Sequence, residues 1–161
     1  MTVPMSVHDA LAWWTTVYSD QRLVAVSVRF VHIAALVIGG GTAIAADRMV
    51  LRAARGDAAA REAAIAVVRR AHRTVTPALV LVAASGVLMT AADTDTFLHS
   101  PIYWTKLALV ALLVANGGGL VLAGRMLGRP SGWRRLAVGS AASLVLWIVL
   151  LFVGTLLTAA A

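Results

Sequence analysis

LVAVSVRFVHIAALVIGGGTAIAA, residues 23–46, decides the architecture: it has no acidic side chain and only two ionisable ones, Arg29 and His32. A helix rises about 1.5 Å per residue, so a run of this length crosses a hydrocarbon layer about 30 Å thick. Three further runs share its character, at 74–92, 102–124 and 136–159. They are rich in Ala and Leu, too long for strands and without period-2 alternation, and unpaired strand edges are not tolerated in lipid. The expected class is all-α, a four-transmembrane-helix bundle.

Composition agrees. The chain has 161 residues, 60% of them hydrophobic and 13% charged, with a mean hydropathy of +0.86. A soluble domain carries about a quarter charged residues. The length predicts a single transmembrane domain over 1–161. Cysteine is absent, which excludes disulfides, cysteine zinc sites, iron–sulfur centres, haem attached through C-x-x-C-H and thiol nucleophiles.

The segment 6–18 places Trp13, Trp14 and Tyr18 just before the first span, the pattern of a short interfacial helix. With no basic n-region and no long apolar run it is not a cleavable signal, so the first span is expected to direct insertion. Arg48, Arg52, Arg55, Arg61, Arg69, Arg70 and Arg73 fill the first joint, and Arg125, Arg129, Arg134 and Arg135 the third. The second joint, 93–101, has Asp93 and Asp95 and no Lys or Arg. Arginine-rich joints stay in the cytoplasm, which predicts both termini on the non-cytoplasmic side of a bacterial-type inner (plasma) membrane. The net charge of +7 sits at membrane ends without interleaved aromatics, so anionic lipid explains it better than nucleic acid does.

The Ala-rich segment 57–70 reads as a helix that extends the second span inward. Pro77 is expected in the first turn of that span and Pro101 at the start of the third, where a missing amide costs little. Ala35, Gly39 and Ala43 in the first span, and Gly117, Gly118, Gly119 and Gly124 in the third, either pack backbones closely or clear room for a flat cofactor. A homodimer would cover surplus glycine-lined surface.

Ionisable groups inside a membrane tend to mark function. Arg29 and His32, three residues apart, share a helix face. His32 lies roughly 13 Å and Lys106 about 8 Å below the same boundary, so the two can face each other; His99 can reach down from the joint above. His32 is either a polar cross-link between helices or a haem or metal ligand. Lys106 and Arg29 either snorkel to headgroups or neutralise an anionic group such as a haem propionate. His8 and His72 stand too far away to join them. No carboxylate falls inside the four runs, which argues against a proton or sodium relay, and the five methionines form no copper-binding cluster.

The first span, Arg29-Phe-Val-His32-Ile-Ala-Ala-Leu-Val-Ile-Gly39-Gly40, resembles the opening helix of HemJ-type protoporphyrinogen oxidases and CopD-like membrane domains. Thr76-Pro77-Ala78-Leu79 with Ser85-Gly86, and Tyr103-Trp104-Thr105-Lys106-Leu107, are similar to the later helices of that group, and the likeness covers roughly residues 26–125. The resemblance implies haem b held through His32, with Lys106 tied to activity and Arg29, His99 or Lys106 completing the cofactor site. The chain departs from the group at Ala115-Asn116-Gly117, where a tyrosine–histidine pair is usual, and over 42–48. The leading expectation is therefore a haem-dependent oxidoreductase or electron-transfer protein of unspecified small-molecule substrate. The alternatives are CopD-like metal handling through His32, Met89 and His99, with His32 and His99 as ligands, and a membrane subunit that docks a partner.

Overall fold

The computed structural model describes residues 6–127 and 132–160 and is all helical among them. In chain order the helices are α1 (Val7–Asp20), α2 (Arg22–Ala53), α3 (Ala58–Ala92), α4 (Thr94–Leu98), α5 (Pro101–Arg125) and α6 (Gly132–Ala160). Four of them, α2, α3, α5 and α6, are long and apolar enough to cross a membrane.

The helix starts follow local chemistry. Ser6 and Asp9 form a reciprocal capping box at α1. Asp57 accepts the Ala60 amide at 2.9 Å to open α3, and Asp93 accepts that of Thr96 at 3.1 Å to open α4. Ser100 caps α5, with Pro101 in its first turn. Each cap satisfies an amide that the first turn leaves without a helical partner.

The long helices form two pairs, α2 with α3 and α5 with α6, joined through α2 and α6. In lipid this association rests on close packing rather than on escape from water. A Cβ built on Gly39 would lie 2.7 Å from the Cβ of Ala78, and one on Gly40 would lie 3.1 Å from the Trp147 ring. Glycine is thus what lets α2 approach α3 on one side and accept an indole from α6 on the other. Leu113, Leu146, Trp147 and Leu150 form the buried cluster between the pairs, with Leu36 and Leu79 against it. Asn116, at the position where the resembled group carries its tyrosine–histidine pair, donates to the Gly139 carbonyl at 3.0 Å and so ties α5 to α6. A second cluster, around Val50, Ala123 and Leu136, closes the arginine-rich end.

Helix α1 folds back on the opposite end. Trp14 Nε1 donates to the Leu88 carbonyl at 2.8 Å and Thr15 Oγ1 to that of Ala91 at 3.5 Å, the latter one of the carbonyls left open where α3 ends.

Four sequence expectations change. The segment 57–70 is continuous with the second span, so Pro77 lies inside α3 rather than in its first turn; an Ala-rich stretch capped by Asp57 propagates straight into the apolar run. The joint 93–101 is not plain loop but contains α4. Helix α2 runs beyond Ala46 to Ala53 and carries a buried carboxylate, Asp47, into the bundle. On α5, a Cβ at Gly117, Gly118, Gly119 or Gly124 meets nothing within 4 Å, so these glycines do not pack helices of this chain. Arg129 lies outside the described residues.

Candidate functional site

His32, half-buried on α2, faces α3. Its Nδ1 stands 2.9 Å from Ser85 Oγ. The Ser85 hydroxyl has a single proton, and its close partner on its own helix is the Leu81 carbonyl, with that of Val82 as a longer alternative at 3.2 Å. Both are acceptors, so the hydroxyl donates along α3 and takes the role of acceptor toward the imidazole. Nδ1 therefore carries the hydrogen, and in the neutral imidazole Nε2 keeps its lone pair. A histidine that donates one ring N–H to a fixed oxygen is oriented to ligate through the other nitrogen. Ser85 is itself buried, at 4% exposure, which protects the bond from competing water.

Gly86, next to Ser85, lies beside the imidazole: a Cβ there would sit 3.6 Å from His32 Cε1, in ordinary contact. From α5, half-buried Lys106 comes close enough for its charge to act on His32. Its Nζ lies 3.9 Å from where a Cβ on Gly154 of α6 would stand. Lys106 Nζ thus lies against α6, within electrostatic range of His32. Four helices contribute to this end of the bundle: His32 from α2, Ser85 from α3, Lys106 from α5 and Gly154 from α6.

The other expected members stand apart. Arg29 is exposed, donates from Nε to Tyr18 Oη at 3.3 Å and lies over that ring at 6.0 Å, so it secures α1 to α2. His99 is exposed at the end of α4, with Nδ1 2.8 Å from the Asp95 carbonyl of its own turn. Among the described residues no three His, Cys, Asp or Glu side chains converge as a metal set.

Sequence reading missed the contribution of Ser85, although the Ser85-Gly86 pair was part of the quoted resemblance. A serine inside an apolar run is the available signal, since its hydroxyl must find partners within the bundle. Gly154 carried no signal, because its place beside Lys106 depends on how α5 and α6 pack. Comparison with family models, with curated proteins and with solved structures finds no match to this chain.

Proposed function

We propose that this integral membrane protein binds b-type haem through His32 Nε2 and acts in porphyrin oxidation or electron transfer. The observation that carries the reading is the commitment of the Ser85 hydroxyl to α3, which leaves His32 as a neutral, oriented ligand beside the Lys106 ammonium. Haem bound there would supply one-electron chemistry. Lys106 would pair with a propionate or approach the iron as a second ligand, and the glycines at 86 and 154 would leave space beside both side chains. With the arginine-rich joints in the cytoplasm, the His32 end faces the outer side of a bacterial-type plasma membrane.

The test is a visible spectrum of the detergent-purified protein, oxidised and dithionite-reduced, after expression with haem precursor supplied. The expected result is a sharp Soret band at about one haem per chain, lost in His32→Ala while helical content is retained. Full haem loading in that variant, or a flat spectrum from the folded wild-type chain, overturns the proposal. A second reading, a membrane subunit that docks a partner or a second copy, is favoured by the open glycine face of α5. A flat spectrum from a particle with more than one chain's mass is the outcome that selects it.

A further inference from the structure

The bundle holds a second polar site that the His32 end does not involve. Fifteen residues along α2 from His32, and so about 22 Å away along its axis, Asp47 points between α2 and α6 and is only 6% exposed. The hydroxyls facing its carboxylate belong to Ser143 and Ser140, which are 4% and 1% exposed. The two serines are three residues apart, so they share one face of α6, the face turned to α2. Yet Asp47 Oδ2 and Ser140 Oγ both lack a hydrogen-bond partner, and no ion pair to Asp47 forms among the described residues.

Buried carboxylates are normally paired or coordinate metals, and buried polar oxygens normally find a donor. Here Asp47 Oδ2 and Ser140 Oγ face one another across the helix interface without reaching hydrogen-bond geometry. A proton on the carboxylate could satisfy one oxygen but does not bridge two that are out of hydrogen-bond geometry. A hard cation between them could, because it collects oxygens at about 2.4 Å from its centre. The donor set is all oxygen, which disfavours zinc and copper. It carries one negative charge, too little for a calcium site with its six to eight oxygen ligands.

The geometry points to a sodium-binding site formed by Asp47, Ser140 and Ser143 at the arginine-rich end of the α2–α6 interface. The ion balances the single carboxylate charge and links the two helices that join the bundle's halves. Nothing in this assignment depends on haem at the other end.

The experiment uses the full chain in detergent, with sodium chloride exchanged for choline chloride at constant ionic strength. Binding to the folded state alone raises the melting midpoint in proportion to the logarithm of sodium concentration once the site is filled. The expected result is a midpoint several degrees higher in sodium, together with saturable broadening of the sodium-23 resonance, both lost in Asp47→Asn. Ser140→Ala should weaken the apparent sodium affinity about tenfold, the cost of removing one ligand to a charged group. Equal midpoints in the two salts would show that water or a proton occupies the gap, and would overturn the assignment. So would a sodium response that survives in Asp47→Asn. If Asp47→Asn does not fold, the wild-type salt comparison and Ser140→Ala decide between the same outcomes.

Discussion

Helix α2 presents one polar side chain toward each end of the bundle, half-buried at His32 and buried at Asp47, and the two are solved in opposite ways. At one end the His32 imidazole has a partner that is itself partnered, a chain from Nδ1 through Ser85 Oγ to the Leu81 carbonyl. At the other the Asp47 carboxylate faces two serines and still leaves Oδ2 and Ser140 Oγ unmatched. The first arrangement gives the ring a fixed oxygen on the neighbouring helix. The second leaves a buried carboxyl oxygen and a buried hydroxyl without a partner. A membrane interior penalises unmatched polar groups, so under the two proposals the ends call for different partners, an iron at His32 and a cation at Asp47.

The two sites are kept apart by the apolar layer in which Trp147, 4% exposed, lies against Gly40 and packs with Leu113, Leu146 and Leu150. Trp147→Ala should have the largest effect on the comparison. It opens a cavity in the layer common to both helix pairs and costs about 3–5 kcal/mol in a soluble core; in a membrane bundle the lower end of that range is expected, because packing contributes and transfer from water does not. The measurement is the melting midpoint of the detergent-solubilised chain, with both sites weakened together. A loss confined to one site would show that the layer does not couple them.

Ser85→Ala sharpens the contrast with a smaller and local effect. Removing the acceptor for Nδ1–H frees the ring to rotate and change tautomer, and loss of such an outer partner typically costs 10–100-fold in ligand affinity. The expected outcome is haem retention reduced by about that factor, with the sodium response at Asp47 unchanged. Unaltered haem affinity would reduce the hydrogen bond to simple helix packing.

Most of the architecture was legible because apolar run length is read directly from the sequence. The spans at 23–46, 74–92, 102–124 and 136–159 all fall within α2, α3, α5 and α6. The ends were less legible, and there the functional reading went astray. The first apolar run ends at Ala46, where Asp47 and Arg48 follow in succession, so Asp47 was placed outside the membrane segment; helical hydrogen bonding does not stop there, and α2 carries Asp47 toward α6. That His32 and Lys106 lie within electrostatic range of each other agrees with the similar depths that helix rise assigns them. Arg29 and His99 did not follow, because depth along a helix says nothing about which neighbour a side chain meets. Arg29 found Tyr18 on α1 and His99 found its own turn. The glycines of α5 show the same limit: a cluster of small residues describes a smooth face but not the helix that covers it.

The ends differ also in what lies over them, and this gives the smallest of the expected effects. Only the His32 end carries α1, held by Trp14 on the Leu88 carbonyl and Thr15 on that of Ala91. The start of α1 depends on Asp9, whose carboxylate accepts from the Ser6 hydroxyl at 2.6 Å and the Ser6 amide at 3.1 Å. These bonds favour the ionised form and hold the Asp9 carboxyl below its ordinary value near 3.8. A depressed carboxylate contributes its stabilisation above the unfolded value and loses it as pH falls through the folded one. From pH 7 down to about 5 the first turn of α1 should therefore be unchanged, and below about 4 it should fray. Hydrogen exchange of the Asp9 and Ala10 amides would register this, with Ser6→Ala removing the excess protection at neutral pH. Because Asp9 is exposed, the change should stay within the first turn, leaving Trp14 docked and the sodium response at the far end untouched. Acid release of the whole of α1 at the same pH would show instead that the capping box, and not the two tryptophan and threonine bonds to α3, holds the cover over the His32 end.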